Sequence, residues 1–312
     1  MEKRKVGSLE VTVAGLGCNN FGMRMNQDQA QAVVDACFDA GVNNFDTAES
    51  YGGGKSEEFL GAALGKRRNE ALITTKVSGF GAPEGMSAGK PEWIAQAVDN
   101  SLQRLGTDHI DLYLLHFPDG NVPIHETLEA FSKCIAAGKV REIGCSNFSA
   151  ELLDAAAEAA RELGVPGFVN LQNNYSVLDR TVEAEVIPAC ERLDMTLMPY
   201  FPLAAGVLTG KYTKGEEPPE GTRLAAWGER AKMMMSDDRM DAVGRLTKYA
   251  QDHGHTLPEL ALSYLAGSPT VASVIAGATT PEQLQANAAA TSAWQLTDAE
   301  RAEVRELADT GS

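Results

Sequence analysis

Four side chains able to hold or move a proton stand at the ends of apolar runs. Asp46 and Tyr51 lie in "NNFDTAESYG", Lys76 ends "ITTK" and His116 follows "DLYLL". A free phenol has a pKa of about 10 and parts with its proton reluctantly at neutral pH. A neighbouring ammonium favours the phenolate and lowers that value, which moves Tyr51 toward a useful general acid. Lys76 in an apolar setting needs an anion to stay charged, and Asp46 can supply it. His116 can then orient a carbonyl oxygen or share the proton. One such pair alone would read as a buried ion pair; all four at successive strand ends argue for chemistry.

The elements that must carry these residues alternate along the chain. Strand-like runs rich in β-branched residues occur at 13–17, 43–47, 72–77, 110–116, 142–147, 168–173, 196–201 and 271–277. Helical patterns lie between them, at about 27–40, 56–66, 92–105, 124–137, 149–163, 182–193 and 281–289. In the third of these, Ile94, Val98, Leu102 and Leu105 share one face, and Gly106 follows as a suitable stop. Eight strand–helix units with no break in composition predict a single α/β domain over 1–312, a (β/α)8 TIM barrel. Such barrels carry their reactive groups on loops after the C-terminal ends of the strands. Ser146-Asn147, Gln172 and Tyr200 close the fifth, sixth and seventh strands in the same way. Two departures from the repeat are expected. Residues 1–12 form an N-terminal β-hairpin around Gly7 that covers the bottom of the barrel. Extra helices and loops sit at its C-terminal end, where residues 203–236, with Pro218-Pro219, Gly221 and Met233–Met235, are long enough for a lid.

Composition narrows the partners. With 27 Lys and Arg against 43 Asp and Glu, the formal charge is −16. Nucleic acid and anionic membranes repel such a surface, although a local cationic site can still hold a small anionic cofactor. No apolar run approaches the roughly 18 residues of a membrane span, and the N-terminus lacks the apolar core of a signal peptide. Cys18, Cys37, Cys134, Cys145 and Cys190 are scattered without a C-x-x-C pair, as expected of reduced thiols in a cytoplasmic protein with neither disulfide nor zinc. "GGGKS" at 52–56 ends like a P-loop, but Glu49 stands where the first glycine belongs; a turn with Ser56 capping a helix fits better. No G-x-G-x-x-G follows the first strand, which argues against a Rossmann fold. His253 and His255 lack the further ligands a metal site needs, so no metal is expected.

Taken in order and spacing, "FDTAESYG", "TTKV", "LLHFPD", "GKVREIGCSNF", "YFPLAAGVLTGKY" and "VIAGATTPEQLQAN" resemble the blocks of the aldo-keto reductase family nearly end to end. The resemblance implies reduction of an aldehyde or ketone, such as a sugar or keto metabolite, by hydride transfer from NADPH. Asp46, Tyr51, Lys76 and His116 would be the catalytic tetrad. It further implies that Ser146, Asn147 and Gln172 bind the nicotinamide carboxamide and that Tyr200 stacks on the ring. Leu203–Lys211, with Gly206 and Leu208, and Gly277–Asn287, with Thr279 and Gln283, would hold the pyrophosphate and the adenosine phosphate. Gly17, Cys18, Asn19, Asp46 and Phe201 complete the implied cofactor contacts. The chain departs from the family at Cys18-Asn19, where threonine with methionine or tryptophan is common, and at Phe201, where serine is common. Both positions are expected to line the substrate pocket. Thr279 replaces an arginine that often faces the 2′-phosphate, so the preference for NADP is expected to be modest and NAD remains usable; Lys211 or Arg223 would compensate if the long segment brings either near. The expected partner is a small carbonyl substrate, with the protein a monomer or weak homo-oligomer. A dehydrogenase running toward oxidation, or a cofactor-binding interaction protein like the potassium-channel beta subunits, is the alternative.

Overall fold

A computed structural model describes residues 1–310. The chain opens with an antiparallel hairpin, β1 (Lys3–Val6) and β2 (Leu9–Thr12). Gly7 makes the turn with a φ of 56°, a left-handed value that favours glycine. The hairpin's Val6, Leu9 and Val11 pack with Leu112, Leu114, Met198 and Ile275 from inside the barrel. It therefore plugs the end opposite the strands' C-termini, as expected.

Eight strands run parallel in the order expected of the repeat. They are β3 (Ala14–Gly17), β4 (Asn44–Asp46), β5 (Leu72–Val77), β6 (Ile110–Leu115), β7 (Val140–Ser146), β8 (Asn170–Gln172), β9 (Thr196–Leu197) and β10 (Val274–Gly277). β10 pairs with β3, and each later strand pairs with the next up to β9. The remaining gap is closed by a parallel bridge from Leu197 to Val271, with Leu197 N–H donating to Thr270 O at 2.8 Å and Ala272 N–H to Leu197 O at 2.9 Å. The fold is a (β/α)8 barrel.

Around it lie α1 (Gln27–Asp39), α2 (Lys55–Leu64), α3 (Pro91–Leu105), α4 (Ile124–Ala136), α5 (Ala150–Leu163), α6 (Val186–Arg192), α7 (Glu229–Met234), α8 (Asp237–Asp252), α9 (Leu257–Ala266), α10 (Pro281–Ala290) and α11 (Asp298–Ala308). α3 shows the logic. Proline opens it at a position needing no N–H, Gly106 closes it at φ 62°, and Trp93, Ile94, Ala97, Val98, Leu102 and Leu105 are buried against the sheet. Truncating a buried leucine such as Leu105 to alanine should cost about 2 to 5 kcal/mol. No helix among the described residues is long and apolar enough to cross a membrane.

Two expectations are corrected. The helix expected at 182–193 is a 3-10 turn, Thr181–Glu183, followed by α6; Pro188 cannot donate to residue 184, and its ring would clash there in a continuous helix. Ser56 does not cap α2. Its hydroxyl instead donates to Cys18 O at 2.8 Å and lies 2.8 Å from the Thr47 hydroxyl, tying two strand ends together, while Gly54 at φ 90° starts the helix. Residues 203–236 combine loop with extra helical pieces, as expected: they hold 3-10 turns at Ala204–Thr209 and Leu224–Ala226 as well as α7, with Leu224 and Ala231 anchored in the core.

Candidate active site

Asp46 is the last residue of β4 and stands opposite Thr74 of β5. Side chains two apart on a strand face the same way, so Lys76 points inward one layer above Thr74, beside Asp46. Lys76 Nζ donates to Asp46 Oδ1 at 2.8 Å and to Thr47 O at 2.6 Å. The ammonium is fully buried and Asp46 is 4% exposed. Tyr51 begins a turn in which Gly52, Gly53 and Gly54 all have positive φ. At Gly52 a Cβ would come within 3.0 Å of Phe21 O, so this bend toward the barrel mouth needs glycine. It leaves the Tyr51 ring with its centroid 5.1 Å from Lys76 Nζ and 5.9 Å from the His116 ring, which meets it edge-on.

Electrostatics in this corner are a contest between burial and charge. Burial pushes the Tyr51 phenol above its ordinary value; Lys76 pulls it down but does not win. Burial opposes the Lys76 charge, yet Asp46 and Tyr51 more than offset it and hold the ammonium above its ordinary value. His116 falls from 6.5 to about 3, first through burial and then through the Lys76 charge, so its imidazole is neutral at physiological pH. Its Nδ1 is buried without a hydrogen-bond partner among the described residues. The sequence reading expected the lysine to bring the phenol below its ordinary value; desolvation, which one sequence does not reveal, reverses the net direction.

A second group of strand ends is knotted around Asn147, a non-glycine residue at φ 63°. Its amide nitrogen donates to His116 O and to Ser146 Oγ, both at 3.0 Å, and its side-chain oxygen accepts from Tyr200 Oη at 2.8 Å. Ser146 Oγ donates to Gln172 O at 2.7 Å. Gln172 Nε2 donates to Asp46 Oδ1 at 2.8 Å, so this wall is bonded directly to the corner that holds Tyr51.

Both groups open on one elongated cavity of about 840 Å³. Gly17, Asn19, Asp46, Tyr51 and His116 line it on one side, and Ser146, Asn147, Gln172, Tyr200 and Phe201 on another. Leu203, Gly206 and Lys211 follow, then Gly277, Thr279, Gln283 and Asn287 at the far end. Cys18 and Leu208 do not line it. Both are fully buried, the Cys18 thiol 3.8 Å from Leu16 O. Lys76 lies beneath the wall, bonded to Asp46 and set under the Tyr51 ring. Asn20, in the stretch after the first strand, lines the cavity as well, whereas the sequence reading missed Arg24 and Arg230 in the wall. Nothing in their spacing marks them, because loop packing brings them in.

The cavity suits an extended anionic cofactor on two observations. Phe201, Ala204, Ala205 and Gly206 all have positive φ. The first three are strained for residues with a Cβ, at roughly 1 to 3 kcal/mol each; such strain is kept where a backbone must present its amides to a ligand. At the far end Thr280 caps α10, accepting from Gln283 N–H, while Gln283 Oε1 accepts from Thr279 N–H at 2.9 Å and from its hydroxyl at 3.0 Å. The Gln283 and Thr279 N–H groups are thus already occupied, and it is the positive end of the α10 dipole, rather than open donors, that favours an anion here.

A model of the aldo/keto reductase family matches residues 14–309. A protein named probable voltage-gated potassium channel subunit beta, from Arabidopsis thaliana, is 35% identical over 296 residues, spanning 92% of this chain and 90% of its own length. The NADH-specific methylglyoxal reductase of Escherichia coli (strain K12) is 31% identical over 332 aligned residues, spanning 99% of each. The L-glyceraldehyde 3-phosphate reductase of the same organism is 30% identical over 283 residues, 86% of this chain and 80% of its own.

Proposed function

The chain belongs to the aldo/keto reductase family and is an NAD(P)H-dependent oxidoreductase, and from that premise we propose that it reduces an aldehyde or ketone to the alcohol, with NADPH as the preferred reductant and Tyr51 as the proton donor. The observation that carries the reading is the Asp46–Lys76 pair at 2.8 Å lying directly beneath the Tyr51 phenol at the wall of the cavity. When bound, a reduced nicotinamide dinucleotide supplies the hydride. Everything else is done by side chains. Tyr51, fully protonated at neutral pH, gives its proton to the carbonyl oxygen as negative charge builds there, since an alkoxide is a far stronger base than a phenolate. Lys76 then stabilises the phenolate, and Asp46 keeps Lys76 charged. Neutral His116 donates a hydrogen bond to the same oxygen and orients the carbonyl. Gln172, its nitrogen fixed on Asp46, turns its oxygen toward a carboxamide, and Tyr200 with its hydroxyl pinned to Asn147 offers a ring face for stacking. Leu203–Lys211 and Gly277–Asn287 are the segments for the phosphates.

The test is a panel of aldehydes, ketones and sugars, with methylglyoxal and glyceraldehyde phosphate included, followed by loss of reduced-nicotinamide absorbance. Saturable turnover of at least one carbonyl supports the reading. The same residues would serve oxidation of the alcohol, so the panel is run in both directions. The relative named as a channel subunit favours a second reading, in which the chain binds cofactor and serves a protein partner. Tight cofactor binding without turnover of any carbonyl or alcohol would favour that one.

A further inference from the structure

Residues 78–90 join β5 to α3, and both ends of this loop are tied to segments that carry reactive groups. At its start, one carboxylate oxygen of Glu49 accepts from Ser78 N–H at 2.6 Å, from the Ser78 hydroxyl at 3.1 Å and from Phe80 N–H at 3.2 Å. Glu49 stands two residues before Tyr51, and the Phe80 ring lies over the same glycine turn, its Cζ 3.9 Å from the place of a Cβ on Gly53. At the loop's end, Gly89 N–H donates to Asp119 Oδ2 at 2.9 Å, and the Thr127 hydroxyl donates to Gly89 O at 3.0 Å. Asp119 follows His116 by three residues. A Cβ on Gly89 would come within 2.9 Å of Thr127 Oγ1 and 3.1 Å of Asp119 Cβ, so this seat needs glycine. The two ends also meet, since a Cβ on Gly79 would lie 3.4 Å from Ala88 N, and the segment is a closed Ω-loop. None of residues 78–90 lines the cavity. Glu49 is 1% exposed and has no cation partner among the described residues, and burial lifts its carboxyl above the ordinary value even against its hydrogen bonds. A buried acid without a cation is costly, and here every bond its carboxylate makes goes to this one loop.

We propose that the loop of residues 78–90 is a strut between the Tyr51 turn and the segment after His116, with Glu49 and Asp119 as the positioning residues that grip its two ends. The strut sets how the phenol stands against the imidazole, whose ring centroids are 5.9 Å apart. Its effect on rate rests on the reductase reading, in which both groups must meet one carbonyl oxygen; a misplacement of about 1 Å there can cost about 10²-fold. A strut acts only when held at both ends, so releasing either end has the same consequence as releasing both.

The experiment compares the parent with Glu49→Ala, Glu49→Gln, Asp119→Ala and the double alanine variant, after melting curves have checked that each is folded. Single-turnover reduction of the fastest carbonyl in the panel above is measured alongside NADPH affinity, and every variant is repeated in a Tyr51→Phe background. Each alanine variant should lose about tenfold or more in rate with NADPH affinity kept within about twofold. The double variant should lose no more than about the larger single loss. Glu49→Gln keeps an accepting oxygen and should stay within about threefold of the parent. In the Tyr51→Phe background the same substitutions should change the rate by less than about twofold, because no phenol is left to misplace. Equal losses in both backgrounds, NADPH binding that weakens in step, or full rates in both single variants would each overturn the strut. Amide hydrogen exchange reads it without activity. Asp119→Ala should speed exchange at Tyr51 and Gly53, whose N–H groups bond to Ala48 O and Ser50 O, and Glu49→Ala should do so at Gly89 and Asn121, which bond to Asp119. Faster exchange confined to the amides that the substituted side chain itself bonded overturns it. Should the parent reduce no carbonyl, the reductase reading fails by itself, and exchange alone decides the strut. Should Glu49→Ala fail to fold, Asp119→Ala, at a half-buried residue, carries both arms.

Discussion

Burial and charge act on Tyr51 in opposite directions, and burial wins. Lys76 limits the rise, and in the mechanism proposed above it receives the phenolate once the proton has left. Removing it as Lys76→Met should therefore slow turnover, but it also strands Asp46, 4% exposed, without its cation. Breaking a buried pair in this way costs about 3 to 5 kcal/mol, to be read as a lower urea midpoint. His116 gives a cleaner titration. Its unfolded value is 6.5 and its folded value about 3, so between these pH values the unfolded chain binds a proton that the native chain refuses. The stability from keeping this ring neutral is complete above about pH 6.5 and lost as pH falls toward 3. His116→Gln should flatten that part of the stability curve, and the parent's pH–rate profile should show no limb near 6.5 due to this residue. A limb there that disappears in the variant would contradict the neutral imidazole. At the far end of the cavity, Thr279 and Gln283 offer only neutral contacts to a 2′-phosphate. NADPH should be preferred over NADH by about ten- to a hundredfold, or about 1.4 to 2.8 kcal/mol. Binding titrations decide it; tighter NADH binding would reverse the assignment.

At the scale of elements, the 203–236 segment is the piece whose behaviour matters most. It is pinned by Leu224 and Ala231, but its exposed stretches at 214–217 and 225–230 are largely surface. Closure over bound cofactor should slow protease cleavage there and change the fluorescence of Trp227, which packs edge-on against Phe201. Equal cleavage with and without cofactor would remove the lid. The same segment marks the boundary of what the sequence made legible. Asp46, Lys76 and His116 could be read from the sequence because each ends or follows an apolar run, and a strand end in a barrel has a fixed address. Helices such as α3 were legible from periodicity and a terminal glycine. Arg24 and Arg223 were not legible as a pair in the cavity wall: 198 residues of intervening chain and irregular loop geometry separate them, and neither loop has a period to read. The reversal at Tyr51 was also hidden, since composition shows which charge is near but not how much water has been excluded. Ser56 misled for a related reason. Its type and position fit a helix cap, but a tertiary partner, Cys18 O, claimed the hydroxyl.

At the scale of the whole molecule, one barrel carries the cavity, with the ends of seven strands or the loops after them supplying its wall, β5 setting Lys76 beneath it, and the hairpin sealing the opposite end. We expect residues 1–312 to behave as one folding unit. Trp93 in α3, Trp227 in the long segment and Trp294 before α11 sample distant parts of the chain, and fluorescence and far-ultraviolet circular dichroism should report one coincident unfolding transition; two separated transitions would divide the chain. The acidic surface, with a formal charge of −16, leaves cationic groups concentrated where an anionic cofactor would enter, so association should slow as ionic strength rises. The central claim is that this barrel exists to place one phenol over one buried lysine at the wall of a dinucleotide cavity. Tyr51→Phe tests it most directly, because it removes a single hydroxyl and leaves the Asp46–Lys76 pair intact. Single-turnover reduction of a carbonyl substrate, measured alongside NADPH affinity, should fall about 10² to 10⁴-fold with binding unchanged; a rate within two- or threefold of the parent would contradict the account.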